Sequence, residues 1–154
     1  MNKGFVKGSE LMKILIGADH AGFELKEKVR THLEEQGFDY EDFGTYSTES
    51  CDYNDVAKRV ARAVSKGDAE RGILICGTGL GMSIQANKFK GVRAAHVHDV
   101  LSARLTREHN DSNILTMGGR ILGAGLAIAI ADAWLTTPFS EDSRHRRRVE
   151  KIDA

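Results

Sequence analysis

The sequence predicts an α/β domain in three layers, with one parallel sheet of five strands held between helices. Three observations predict it. From Met12 onward, short apolar runs alternate with amphipathic stretches of helical period, as successive β-α units do. The runs Lys13-Ile14-Leu15-Ile16-Gly17-Ala18 and Gly72-Ile73-Leu74-Ile75-Cys76 do not alternate with polar residues, as expected of strands buried on both faces. Finally, the chain has one proline and no internal repeat, which leaves little room for linkers.

The elements follow in order. Residues 1–11 carry no strand or helix pattern and are read as an extension, expected to be disordered, ahead of one domain over 12–154. The first strand is Lys13 to Ala18. Leu25, Val29 and Leu33 then recur at four-residue spacing among charges, and Gly37 stops the helix they mark. Phe38 to Phe43 alternates and reads as an exposed, edge-like strand. Val56, Val60 and Val64 mark a second helix, ended near Gly67. After the strand closing at Cys76 come a glycine-rich loop and a short helix through Ala86. Val92 to Val97 is a fourth strand, Leu101 and Leu105 lie on a helix running to about Glu108, and Asn113 to Met117 is the fifth strand. The helix from Gly123 to Leu135 is apolar nearly all round, which suggests a subunit interface. A charged helix over 143–152 closes the chain.

Composition removes several classes of function. Lys plus Arg and Asp plus Glu number 22 each, so no global charge draws the chain to nucleic acid or to an anionic membrane. The apolar stretch Ala124 to Ala131 is far too short to span a bilayer. The first residues lack the apolar core of a secretory signal, and two cysteines, Cys51 and Cys76, make no disulfide framework. Free thiols in a reducing, cytoplasmic compartment are the expectation.

In a parallel sheet, ligands bind beyond the carboxyl ends of the strands. The residues there are Asp19-His20, Gly44 onward, Cys76 through Gly81, His98-Asp99 and Gly118-Gly119-Arg120. Gly77, Gly79 and Gly81 alternate in a strand-to-helix loop, where backbone N–H groups can converge on an anion. Their spacing is not that of a dinucleotide fingerprint, and no Gly-Lys-Ser/Thr follows, so the loop matches neither nucleotide motif and a nucleotide-binding protein is the weaker reading. A lone cysteine is more often a small core residue. At the last position of a buried strand, however, Cys76 has amides beside it, and a thiolate there can take a proton from carbon while those amides hold the developing enediolate. Asp19, His20, His96 and His98 offer ligand atoms without any recognised metal-ligand spacing, so no metal site is expected. Arg144 and Arg148 share a helix face at four-residue spacing and together can clamp a phosphate. A nucleic-acid patch is the poorer reading of this run, since no aromatics interleave it.

Taken in order, Asp19-His20-Ala21-Gly22, Gly72 through Gly79 with Gly81, Ala86-Asn87-Lys88-Phe89, His109-Asn110-Asp111, Arg144-His145 and Arg148-Val149-Glu150 resemble the type B ribose-5-phosphate isomerases. That family includes allose-6-phosphate and galactose-6-phosphate isomerases. The resemblance runs from Met12 to near the last residues. It implies a Rossmann-like fold and an aldose–ketose isomerase of the pentose phosphate pathway, needing no metal or organic cofactor. It implies Cys76 as the base between C2 and C1, with Thr78 and the amides of Gly77, Gly79 and Gly81 as the anion hole. His109 would assist opening of the furanose ring, with Asp19 and Asn110 on sugar hydroxyls or the ring oxygen and Tyr53 beside the sugar. His20, Arg120, Arg144 and Arg148 would grip the phosphate. It also implies a homodimer whose two sites are shared between subunits, with a tetramer left open. Where the family pattern has Asp-Tyr-Pro, this chain has Asp52-Tyr53-Asn54, which removes a preset φ. The alternatives are the same chemistry on a hexose phosphate, or a non-catalytic sugar-phosphate-binding protein. A mere binder would not need the thiol.

Overall fold

The computed structural model describes residues 6–7 and 10–154; residues 1–5, 8 and 9 lie outside the described residues, and with them most of the expected extension. The backbone of β1 (Val6–Lys7) pairs antiparallel with β2 (Glu10–Leu11), a two-stranded ladder separate from the main sheet. The main sheet holds β3 (Lys13–Ala18), β4 (Asp39–Asp42), β5 (Arg71–Cys76), β6 (Ala94–His96) and β7 (Ile114–Gly118). All its pairings are parallel, in the order β4-β3-β5-β7-β6. The helices are α1 (Phe23–Glu35), α2 (Tyr53–Lys66), α3 (Leu80–Ala86), α4 (Val100–Asn110), α5 (Ala124–Thr136) and α6 (Ser143–Asp153).

The three-layer, Rossmann-like prediction holds. The unbroken apolar runs exist because each strand serves two cores. Ile14, Ile16, Ile73, Ile75, Leu115 and Met117 point to the side of α1, α4 and α5, where Leu25, Val29, Ala103, Ile130 and Trp134 meet them. Leu15, Leu74, Cys76 and Ile114 point to the other side, against Val56, Val60 and Val64 of α2 and Met82 and Ala86 of α3. Each such aliphatic side chain, fully buried, contributes about 1.5–3 kcal/mol.

Two predicted strands are shorter than expected. Phe38 and Phe43 fall outside β4, and Val92 and Val97 outside β6. These residues pack on the cores from beyond the ladder, so their apolarity reports burial without strand pairing. Both short strands are sheet edges. Edge strand β4 is acidic, Asp39-Tyr40-Glu41-Asp42, and its last carboxylate binds Lys26, whose Nζ is fully buried and lies 2.6 and 2.8 Å from the two Asp42 oxygens. At the other edge, the Asn87 side chain accepts from the Ala94 N–H at 2.8 Å and donates to the Ala94 carbonyl at 3.0 Å. One amide side chain thus stands in for a neighbouring strand.

Candidate active site

Three loops leave the carboxyl edge of the central strands and lock together. Gly119 N–H donates to the Cys76 carbonyl at 2.7 Å, Arg120 N–H to the Gly77 carbonyl at 3.0 Å, and Asp19 N–H to the Ile75 carbonyl at 3.2 Å. Gly119 is obligatory here: a Cβ would come within 2.7 Å of the Ala21 carbonyl oxygen. Cys76, 5% exposed, ends β5, and its Sγ accepts the Gly79 N–H at 3.1 Å. Gly79 precedes α3 with a φ of 82°, a conformation costly for any residue with a side chain. Thr78 Oγ1 accepts from Leu80 N–H at 3.2 Å, and Thr78 is exposed.

Around this loop stand most of the residues the sequence singled out. The Arg120 side chain lies over Gly77, its Cδ and Nη1 each 3.6 Å from where a Cβ would be. The Tyr53 ring, in the first turn of α2, lies against Gly81. Asp19 is buried, and its Oδ1 accepts from Ala21 N–H at 2.9 Å and Gly22 N–H at 3.0 Å, so one oxygen shapes its own turn. His20 Nδ1 accepts from Cys51 N–H at 3.2 Å. Asn54, at the position of the expected proline, donates from Nδ2 to Gln85 Oε1 at 3.1 Å and ties α2 to α3. The missing ring is thereby replaced by a side-chain link.

One neighbour was weighed in the sequence only as a metal ligand and not as part of this loop. The His96 ring packs against Gly79, with Nδ1 and Cε1 each 2.8 Å from a Cβ built there, and Nδ1 is 3.3 Å from Thr116 Oγ1. His98 meets it edge-on, ring centroids 4.3 Å apart, and His98 Nε2 is buried without a hydrogen-bond partner. Burial, and then the His98 ring, hold the His96 imidazole below its ordinary range, against a small upward pull from Gly79. Asp19 and His20 do not join this pair: among the described residues no group of three or more His, Cys, Asp or Glu is arranged to hold a metal ion.

The remaining predicted residues lie elsewhere. His109 and Asn110 end α4, immediately before β7, whereas Cys76 ends β5. Gly72 pairs with Ile114 and Cys76 with Gly118, so Cys76 closes one end of a strand pair four residue steps long, about 13 Å, and His109 and Asn110 lead into its other end. The His109 ring packs on His145 of α6, centroids 4.4 Å apart. Arg144 is engaged by Asp142, which its guanidinium and N–H hold down at about 2, and Arg148 stands exposed one turn further on. In one chain the residues thus form two groups at opposite ends of the sheet. A cavity of about 690 Å³ adjoins the second group, between Lys88–Ala95, Asn110 and the last residues of α6.

The order of these features along the chain is that of a known family, and the sequence matches the Ribose/Galactose Isomerase family over residues 14–152. The chain belongs to that family. It is 49% identical over 144 residues to ribose-5-phosphate isomerase B of Escherichia coli, covering 94% of this chain and 96% of the relative. A crystal structure of a ribose 5-phosphate isomerase from Thermotoga maritima, 53% identical, superposes with a TM-score of 0.90 over 94% of this chain and 99% of that one. The family also reaches other substrates: a D-erythrulose-4-phosphate isomerase of Pectobacterium atrosepticum is 41% identical over 92% of this chain and 93% of its own length. This family member is accordingly an aldose–ketose isomerase. No helix among the described residues is long and apolar enough to cross a membrane.

Proposed function

We propose that this isomerase interconverts D-ribose 5-phosphate and D-ribulose 5-phosphate, with Cys76 as the carbon base. The observation that carries the reading is the buried Cys76 Sγ, accepting the Gly79 N–H at 3.1 Å inside a loop stitched to its neighbours. The thiolate takes the C2 proton of the open-chain aldose, the electron pair forms the C1–C2 double bond, and the C1 carbonyl pair moves onto its oxygen to give an enediolate. The thiol returns the proton to C1 while the C2 hydroxyl gives its proton to the C1 oxygen and becomes the carbonyl. Amides of Gly77, Gly79 and Gly81, with Thr78, face the developing oxyanion, and Arg120 and His20 face the phosphate. Asp19 and Tyr53 border the sugar.

His109 and Asn110 serve ring opening, and Arg144 and Arg148 the phosphate, from a second chain. Their location at the far end of the sheet supports this, because a single chain cannot bring them to its own Cys76. The reading is a homodimer with shared sites, acting on sugar phosphates in the cytoplasm. Substrates of other length are the second reading, supported by the four-carbon phosphate named for the Pectobacterium relative.

Ketose formation from ribose 5-phosphate by the purified enzyme, beside allose 6-, galactose 6- and erythrose 4-phosphate, tests the substrate. Cys76→Ala is expected to lower turnover by about a thousandfold or more while sugar-phosphate binding persists. Turnover near wild type in that variant removes the base assignment. Activity confined to another phosphate keeps the mechanism and changes the substrate.

A further inference from the structure

A helix end leaves its last carbonyls without intrahelical donors. At the end of α4 two arginines take the carbonyls of its last residue, Asn110, of its C-cap, Asp111, and of Ser112 just beyond. Arg107, 4% exposed, donates from Nη1 to the Ser112 carbonyl at 2.6 Å and to Asp111 Oδ1 at 2.7 Å. Arg93 donates from Nε to the carbonyls of Asn110 at 3.2 Å and Asp111 at 3.1 Å. Arg93 is itself held by Asp153 of α6 at 2.7 Å. Trp134 Nε1–H donates to Ser112 Oγ at 2.9 Å, completing the support beneath the turn.

Asp111 has a φ of 47°, a position where glycine ends a helix at least cost. What aspartate adds is a carboxylate, and that carboxylate sits between the guanidiniums, 2.7 Å from Arg107 and 3.6 Å from Arg93. Stopping a helix needs none of this. The residues so fixed are the two before it, His109 and Asn110, and the tie to Asp153 fixes them relative to the helix carrying Arg144 and Arg148.

We propose that Asp111, gripped by Arg93 and Arg107, is a positioning residue that sets His109 and Asn110 for ring opening; this rests on the role given to His109 above. Asp111 touches no substrate and acts through the turn. A misplacement of about 1 Å in such a group can cost up to about a hundredfold in rate.

Two reactions separate ring opening from proton transfer. A 2-ketopentose 5-phosphate has its C5 oxygen esterified and cannot close a furanose ring. Exchange of its C1 proton with solvent therefore needs the carbon base but no ring opening. The test compares deuterium uptake at C1 of saturating ribulose 5-phosphate in heavy water with conversion of ribose 5-phosphate. The variants are Asp111→Gly, which keeps the φ and removes the carboxylate, Arg93→Gln, and His109→Asn as reference. In Asp111→Gly and Arg93→Gln, aldose conversion is expected to fall by about tenfold to a hundredfold, with exchange little changed. Asp111→Asn, which retains an acceptor oxygen, should recover part of the loss. If Asp111→Gly does not fold, Arg93→Gln decides alone, since Arg93 is partly exposed. Equal losses in both reactions, or none, overturn the positioning role. A His109→Asn variant that converts aldose at the wild-type rate instead overturns the role of His109 itself.

Discussion

His96 shows what a single ring can do to the stability of the site. Its proton affinity is held below the ordinary value of 6.5 by burial and by His98, so below that value the unfolded chain binds a proton that the folded chain refuses. Stability from this group therefore rises with pH through the window beneath 6.5 and is lost as the pH falls into it. The thermal midpoint should drop between about pH 7 and about pH 5.5, and His96→Gln should flatten the drop. Parallel curves for parent and variant would remove His96 as the source. Cys76 and the Gly77–Gly81 loop were legible in the sequence because strand, thiol and glycines are contiguous. The contact of His96 with Gly79 was not, since it arises only when β6 is laid beside β7, an arrangement that no local pattern encodes.

At the scale of elements, β3, β5 and β7 were legible because burial on both faces writes unbroken apolar runs, and the edge strand β4 because its residues alternate. Their ends were not: Phe38, Phe43, Val92 and Val97 are apolar for packing beyond the ladder. The cap on edge strand β6 was equally hidden, because Asn87 reads as an ordinary loop residue until its amide is seen on both backbone groups of Ala94. Asn87→Ala leaves that N–H and carbonyl to water and is expected to cost about 1 kcal/mol, more if water cannot reach them. Denaturant unfolding measures it, and hydrogen exchange at Ala94 should quicken with it. An unchanged midpoint together with unchanged exchange would mean that the edge is closed by something other than this side chain.

For the whole molecule, the division of the predicted residues between two ends of the sheet is the decisive feature. Its signal was present in the sequence, since Cys76 follows a strand while His109 precedes one, and parallel strands send those positions to opposite edges. The assignment of both to one site came from the family resemblance, which carries no distances. If the sites are shared, two inactive variants complement: Cys76→Ala and His109→Asn subunits, mixed and allowed to exchange, should recover about a quarter of wild-type activity, since half the dimers are mixed and each has one intact site. No recovery after verified exchange would locate every needed residue within one chain.

The same division has a kinetic consequence. A well-folded lone chain would hold a carbon base and no means of opening the ring. If the sites are shared between two chains, activity below the dissociation constant of the pair would follow the square of the chain concentration, so that dilution would act as an inhibitor does. Substrate spanning both subunits would then oppose it by mass action, and the enzyme would be assembled most fully where there is most for it to do.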